Sequence, residues 1–184
     1  MKYSIDSIRK DFRKGRSLKF LFFWGHQKSS DGSITKSCFS QWWASTFQVE
    51  NVNYSCMEQY MMAQKARLFN DYETLDKIIK AKDPKKIKAL GRQVKNFSEL
   101  LWKENRYDIV LKGNLSKFTQ NEELKIFLIA TKNKIIVEAS PYDKIWGIGM
   151  SADDKAIENP LLWKGENLLG FALMEVRDYL TCKD

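Results

Sequence analysis

The chain predicts an α+β fold, predominantly helical, in a single domain over residues 1–184 with a small β-sheet. Three observations predict it. Apolar residues return at helical spacing in segments spread from residue 5 to residue 177, whereas strand character is confined to three short runs at 18–24, 47–54 and 134–138. A chain of 184 residues can bury roughly 70% of its unfolded surface, so it holds one core without disulfide staples.

In order, Ile5, Ile8 and Phe12 recur between Arg9, Lys10, Arg13 and Lys14, which makes residues 1–17 a basic amphipathic helix, peripheral to the domain. Leu18 to Trp24 reads as a strand ended by Gly25. Its aromatics suit a core, although Trp24 at the strand end can also stack on a base or nicotinamide. Val49 and Val52 flank the turn signal Glu50-Asn51, predicting a hairpin. Asn70 and Asp71 end the helix that follows, and Tyr72 to Ala81 has a second helical period. Asp83-Pro84 starts a short basic helix that should close at Gly91-Arg92, where Arg92 can meet an anion or a nearby carboxylate. Ser98 caps a long helix carrying Trp102, and a further helix follows Asn121. Ile135 to Val137 form the last strand. Beyond it Asp143, Trp146, Gly147 and Gly149 place a flat ring beside backbone that a ligand can approach closely. Asn167 stands at the start of the closing helix, as a cap or beside a phosphate.

The stretch with chemistry is Ser55 to Arg67. Seven residues at about 100° each advance about 700°, so Glu58 and Lys65 lie only about 20° apart around a helix. Met62 lies between them, and Met57, Met61 and Ala63 flank the stripe, turning it toward the interior or a cleft. Two readings are open: Ser55 and Glu58 as a capping box with a snorkelling Lys65, or a carboxylate and amine that act together.

Lysine and arginine number 31 against 23 aspartate and glutamate, a formal charge of +8 that favours an anionic partner. The cluster from Lys77 to Lys95 supplies much of it, as a solvated face or a binding surface. Cys38, Cys56 and Cys182 form no C-x-x-C pair and have only His26 to join them, so no metal site is expected. No apolar run reaches membrane-spanning length and no cleavable leader opens the chain, so a reducing cytoplasm is the expected compartment.

From Leu18 to Leu180 the residues resemble the YbiA-like N-glycosidase family, also called NADAR, in its longer form. The blocks that carry the resemblance are Glu58 to Ala66 (E-Q-Y-M-M-A-Q-K-A), Gly91-Arg92 with Trp102, and Lys117-Phe118 with Gln120-Asn121. Glu138 to Asp143 through Trp146 to Gly149, and Trp163 to Gly170 (W-K-G-E-N-L-L-G), complete them. The resemblance implies hydrolysis of the bond between ribose C1 and a base nitrogen, with no cofactor. Lys65 is then the nucleophile that passes through an imine, Glu58 the proton shuttle, and Asp143 the second carboxylate. Trp102 and Trp146 wall the base, while Arg92 and the Asn167 helix start meet phosphate. An ion pair between Glu58 and Lys65 would raise the lysine pKa, against that role.

The favoured substrate is ADP-ribosylated guanine in nucleic acid, since the basic charge and the long form suit it. Phosphorylated ribosyl intermediates of the riboflavin pathway are the alternative, and a non-catalytic ADP-ribose or NAD reader a second. Residues 26–36 and 151–163 are the extra segments expected to shape the substrate mouth.

Overall fold

The computed structural model describes residues 1–182. In chain order the helices and strands are α1 (Ile5–Arg13), β1 (Phe20–Phe23), β2 (Phe47–Val49), β3 (Val52–Tyr54), α2 (Met57–Leu68), α3 (Tyr72–Lys80), α4 (Pro84–Arg92), α5 (Glu99–Gln120), α6 (Glu122–Ile129), β4 (Ile135–Glu138) and α7 (Leu168–Thr181). They are distributed over two compact units, one formed by residues 1–40 with the chain from 122 onward, the other by residues 41–121.

The continuous unit is helical around α2. Its hairpin turns on Glu50 (φ 51°) and Asn51 (φ 62°), the pair of left-handed residues that a two-residue hairpin needs. Asp71 caps α3 through Thr74 N–H, Asp83 caps α4 with Pro84 in the first turn, and Ser98 caps α5 through Leu101 N–H. Gly91 is where α4 meets α2: a Cβ there would lie 1.9 Å from Met62 Sδ and 2.7 Å from its Cγ. Gly113 allows the same close approach on α5, facing Tyr60 and Met57. Glycine at both points lets three helices pack around Met57, Tyr60 and Met62.

In the discontinuous unit β1 pairs with β4 in parallel, Phe20 opposite Ile135 through Phe23 opposite Glu138. The buried face of α7, with Leu169, Phe171, Ala172 and Leu173, packs against β4. A capping box opens α1: Ser7 N–H donates to Ser4 Oγ and Ser4 N–H to Ser7 Oγ, both at 3.2 Å. Among the described residues no helix is long and apolar enough to cross a membrane.

The single small sheet expected from the three β runs is corrected to two separate two-stranded sheets. A carboxamide occupies the open edge of each. Gln120 accepts from Gln48 N–H and donates to Gln48 O, both at 2.8 Å, on the outer side of β2. Asn167 accepts from Glu138 N–H at 3.0 Å and donates to Ile136 O at 2.9 Å on the outer side of β4. Each side chain supplies the donor and acceptor that a third strand would bring.

Candidate active site

Helix α2 is buried over most of its circumference. Cys56 is its N-cap and makes no side-chain capping bond. The capping box read from Ser55 and Glu58 is not formed, because Gln59 takes Ser55 instead: its Oε1 accepts from Ser55 N–H at 2.8 Å and from Ser55 Oγ at 3.0 Å. Its Nε2 donates to Ile78 O, Ile79 O and Ala81 O at 2.8–3.1 Å, closing the C-terminus of α3. Freed from capping, Glu58 is 3% exposed, and its N–H donates to Gln41 O at 2.8 Å.

Lys65 is half-buried on the same helix. Its Nζ donates to Gly91 O at 2.9 Å, lies 4.1 Å from the centre of the Phe97 ring and 5.7 Å from that of Trp102. Burial holds its pKa below the ordinary 10.5; Glu99, in the first turn of α5, acts weakly the other way. The carboxylate that bears on the amine is therefore Glu99 and not Glu58. Along α2 seven residues separate Glu58 and Lys65 by about 10 Å of axial rise, so the shared stripe carries two stations. The tension of a Glu58–Lys65 ion pair does not arise.

Of the other expected residues in this unit, Trp102 is 9% exposed and stands over Lys65 from α5, and Arg92 ends α4 in solvent, one residue beyond the carbonyl that holds Lys65. The structure brings Lys65, Trp102 and the Gly91-Arg92 step together. Phe97 and Glu99 were not visible as partners, since both precede or open α5 in a stretch that reads only as a cap region. An exposed phenylalanine just before a helix start is the one signal available.

In the discontinuous unit Asp143 shapes a loop: its Oδ1 accepts from Ile145 N–H at 2.9 Å and Trp146 N–H at 2.8 Å. Trp146 is 9% exposed. A Cβ on Gly147 would lie 2.8 Å from Glu138 O and 3.1 Å from Asp143 O, so the backbone approach that this glycine permits is to the protein's own carbonyls and not to a ligand. Asn167 is fully buried, its side chain committed to β4, and its φ is 56°. The phosphate expected at this helix start meets occupied donors: Asn167, Leu168 and Leu169 N–H donate to Gly147 O, Ile145 O and Trp146 O. Trp24, read mainly as core, is 53% exposed and lies 6.4 Å from the exposed Tyr142 ring, because it falls one residue past the end of β1. Among the described residues no group of three or more His, Cys, Asp or Glu is placed to hold a metal ion.

The lysine cluster divides. Lys77 pairs with Glu73, Lys80 with Asp76 and Lys95 with Glu73, whereas Lys82, Lys85 and Lys86 stand in solvent around the start of α4 and Lys88 lies 5.7 Å from the Trp42 ring.

The NADAR domain family matches residues 22–181 of the chain. An N-glycosidase of Acanthamoeba polyphaga mimivirus is 44% identical over 165 residues, covering 87% of this chain and 95% of that protein. N-glycosidase YbiA of Escherichia coli is 29% identical over 143 residues, 78% of this chain and 81% of its own length. The solved NMR structure of E. coli YbiA superposes with a TM-score of 0.71 at 25% identity, covering 90% of this chain and 86% of that one.

Proposed function

The chain belongs to the NADAR domain family and is an enzyme of the N-glycosidase class, and from that premise we propose that it removes ADP-ribose from guanine bases in nucleic acid with Lys65 as nucleophile. The observation that carries this reading is the Lys65 amine: half-buried, depressed in pKa by that burial, fixed by Gly91 O and walled by Phe97 and Trp102. A lysine serves as a nucleophile only in its neutral form, and burial raises that fraction at a given pH.

In the proposed reaction the Lys65 lone pair attacks ribose C1. The C1–N bond breaks, its electron pair leaves with the guanine nitrogen, and Glu58 delivers a proton to that base. The lysine nitrogen then loses a proton, the furanose opens as its ring oxygen takes one, and an imine joins Lys65 to C1. Water adds to C1 and expels the amine, releasing ADP-ribose and restoring Lys65. Asp143 is assigned to the ribose hydroxyls and the developing positive charge, and Trp102 and Trp146 to the base. Arg92 is assigned to phosphate.

Nucleic acid as the carrier of the modified base is supported by α4. The helix that supplies Gly91 O begins with Lys85 and Lys86 in solvent and ends with Arg92, and none of the three makes an ion pair among the described residues. Phe97, Leu100 and Leu101 are exposed beyond it, apolar surface on which unstacked bases can rest.

The test is incubation with guanine-ADP-ribosylated DNA, borohydride trapping, intact-mass analysis and product detection. A reducible adduct mapping to Lys65 together with free ADP-ribose is expected. Cleavage of the phosphorylated riboflavin intermediate without cleavage of the DNA would transfer the substrate assignment to that small molecule, and tight ADP-ribose binding without any turnover would make the chain a reader.

A further inference from the structure

Within the continuous unit three groups stand around the Lys65 amine: Gly91 O at 2.9 Å, the Phe97 ring at 4.1 Å and the Trp102 ring at 5.7 Å from Nζ. For attack on a sugar, C1 must come within about 3–3.5 Å of Nζ. No carbon fits between Nζ and a ring centred 4.1 Å away, so the amine is closed on that side. We propose that Phe97 is the residue that admits substrate to Lys65: its ring covers Nζ in the free protein and is displaced as ribose C1 arrives. The proposal rests on Lys65 being the nucleophile.

Of the two rings, Phe97 is the one able to leave. Trp102 is buried on α5, whereas Phe97 is 42% exposed in the connection between α4 and α5 and can turn outward without unpacking the core. The backbone on either side of it is fixed. Lys95 N–H donates to Asp71 Oδ2 at 2.9 Å, Asn96 holds a left-handed φ of 55°, and Ser98 caps α5 through Leu101 N–H. Only the side chain has to move, and exposed side chains change rotamer in picoseconds to nanoseconds. The closed position is nonetheless a defined one. The Phe97 ring meets that of Phe69 edge-on at 5.3 Å and 63°, and Phe69 is buried at the C-cap of α2, one turn beyond Lys65.

The cover discriminates between the two states of the amine. An ammonium is attracted to the face of an aromatic ring, and a neutral amine lacks that attraction. Loss of the proton therefore makes Nζ nucleophilic and loosens the ring above it in the same event. The position that Phe97 vacates lies against Phe69, so a ligand bringing a flat base recovers the aromatic contact that is lost. A simple sugar does not, and Phe97 thereby favours ribosyl bases over other carbonyl or sugar compounds.

Reductive methylation with formaldehyde and a mild borane, read site by site by mass spectrometry from about pH 6 to 9, tests the cover without substrate, since formaldehyde condenses with the neutral amine. Phe97→Ala should label Lys65 about fivefold faster or more than the wild type, with Lys85 and Lys86 unchanged, and Phe97→Tyr should keep the wild-type rate. Phe97→Leu retains apolar bulk without the ring face, so its Lys65 labelling profile should move to lower pH, about two- to fivefold faster near neutrality. The acid-side limb of kcat/KM on guanine-ADP-ribosylated DNA should move with it in Phe97→Leu and stay in Phe97→Tyr. Because Phe97 is exposed, all three variants should melt close to the wild type. Equal Lys65 labelling in the wild type and Phe97→Ala would overturn the proposal. So would labelling of Phe97→Tyr as fast as Phe97→Ala, or a kcat/KM limb that stays in place in Phe97→Leu while the labelling profile moves. Turnover by Lys65→Ala would end the nucleophile reading, and the proposal with it, even where labelling finds the ring in place; an inactive Lys65→Ala with labelling indifferent to Phe97 would end the proposal alone.

Discussion

Gly91→Ala perturbs the joint that fixes Lys65. The new Cβ would sit 1.9 Å from Met62 Sδ, 2.7 Å from Cγ and 3.2 Å from Cβ. To reach ordinary contact near 3.4 Å the sulfur must retreat about 1.5 Å, which rotation of Met62 can supply, but the Cγ and Cβ encroachment remains and moves α4 away from α2. Overpacking of this kind costs about 1–3 kcal/mol, while alanine in place of glycine in a helix returns up to about 1 kcal/mol. The net loss of about 0–3 kcal/mol corresponds to a Tm decrease of up to about 12 °C for a chain of this size. Activity should suffer more than stability. The 2.9 Å bond from Lys65 Nζ to Gly91 O is carried on the displaced helix, and misplacement of about 1 Å can lower turnover by about 10². Met62→Ala alone opens a buried cavity, yet combined with Gly91→Ala it removes the clash, so the double variant should be more stable and more active than the sum of the singles. Thermal melts and ADP-ribose release from modified DNA on all four proteins measure this. Additive effects in both assays would refute the reasoning that Met62 and Gly91 together position the amine.

Glu99 is the carboxylate that raises the Lys65 pKa, so Glu99→Gln should shift the ascending, acid-side limb of the kcat/KM pH profile to lower pH. A shift upward would contradict the geometry. Because the folded pKa of Lys65 lies below 10.5, the unfolded chain binds more protons between the two values; stability should rise with pH through that window, and Lys65→Met should flatten the rise. Asp71 accepts from Thr74 N–H at 3.1 Å and Lys95 N–H at 2.9 Å, and these bonds lower its pKa to about 2. Its contribution is complete above pH 3.8 and is lost as pH falls through about 2, so Asp71→Asn should melt lower at pH 7 and show a smaller acid loss between pH 4 and 2. Asn167→Ala should cost about 2–4 kcal/mol by stranding Ile136 O and Glu138 N–H, a Tm loss of about 5–15 °C.

Local chemistry carried much of the fold into view. The Glu50-Asn51 turn, the caps Asp83 and Ser98, and the placement of Pro84 are each decided by a few neighbouring residues, and each forms where the spacing puts it. What stayed hidden depends on partners distant in sequence or on competition between near-equal donors. Ser55 reads as a capping residue until Gln59, with a longer amide, claims it. Asn167 reads as a cap until the strand 31 residues earlier is seen to need an edge. The Glu58–Lys65 stripe follows from helical periodicity, but the rings, carbonyl and carboxylate around the amine arrive from α4 and α5. Gly147 shows the same limit: a glycine beside a tryptophan looks like an opening, and only tertiary structure reveals the carbonyls filling it.

The division of the chain also sets an order of events during synthesis. Residues 41–121 are contiguous, and the caps, the hairpin and the Gly91 contact form within that span, so this segment can close soon after it leaves the ribosome. The pairing of β1 with β4 must wait for residue 138, with more than a hundred residues between the strands, and its loop-closure entropy is smaller if the intervening segment is already compact. Until then the apolar run from Phe20 to Phe23 stands as an unpaired strand, and a slow ribosome across residues 122–138 would prolong the interval in which it can pair with another chain.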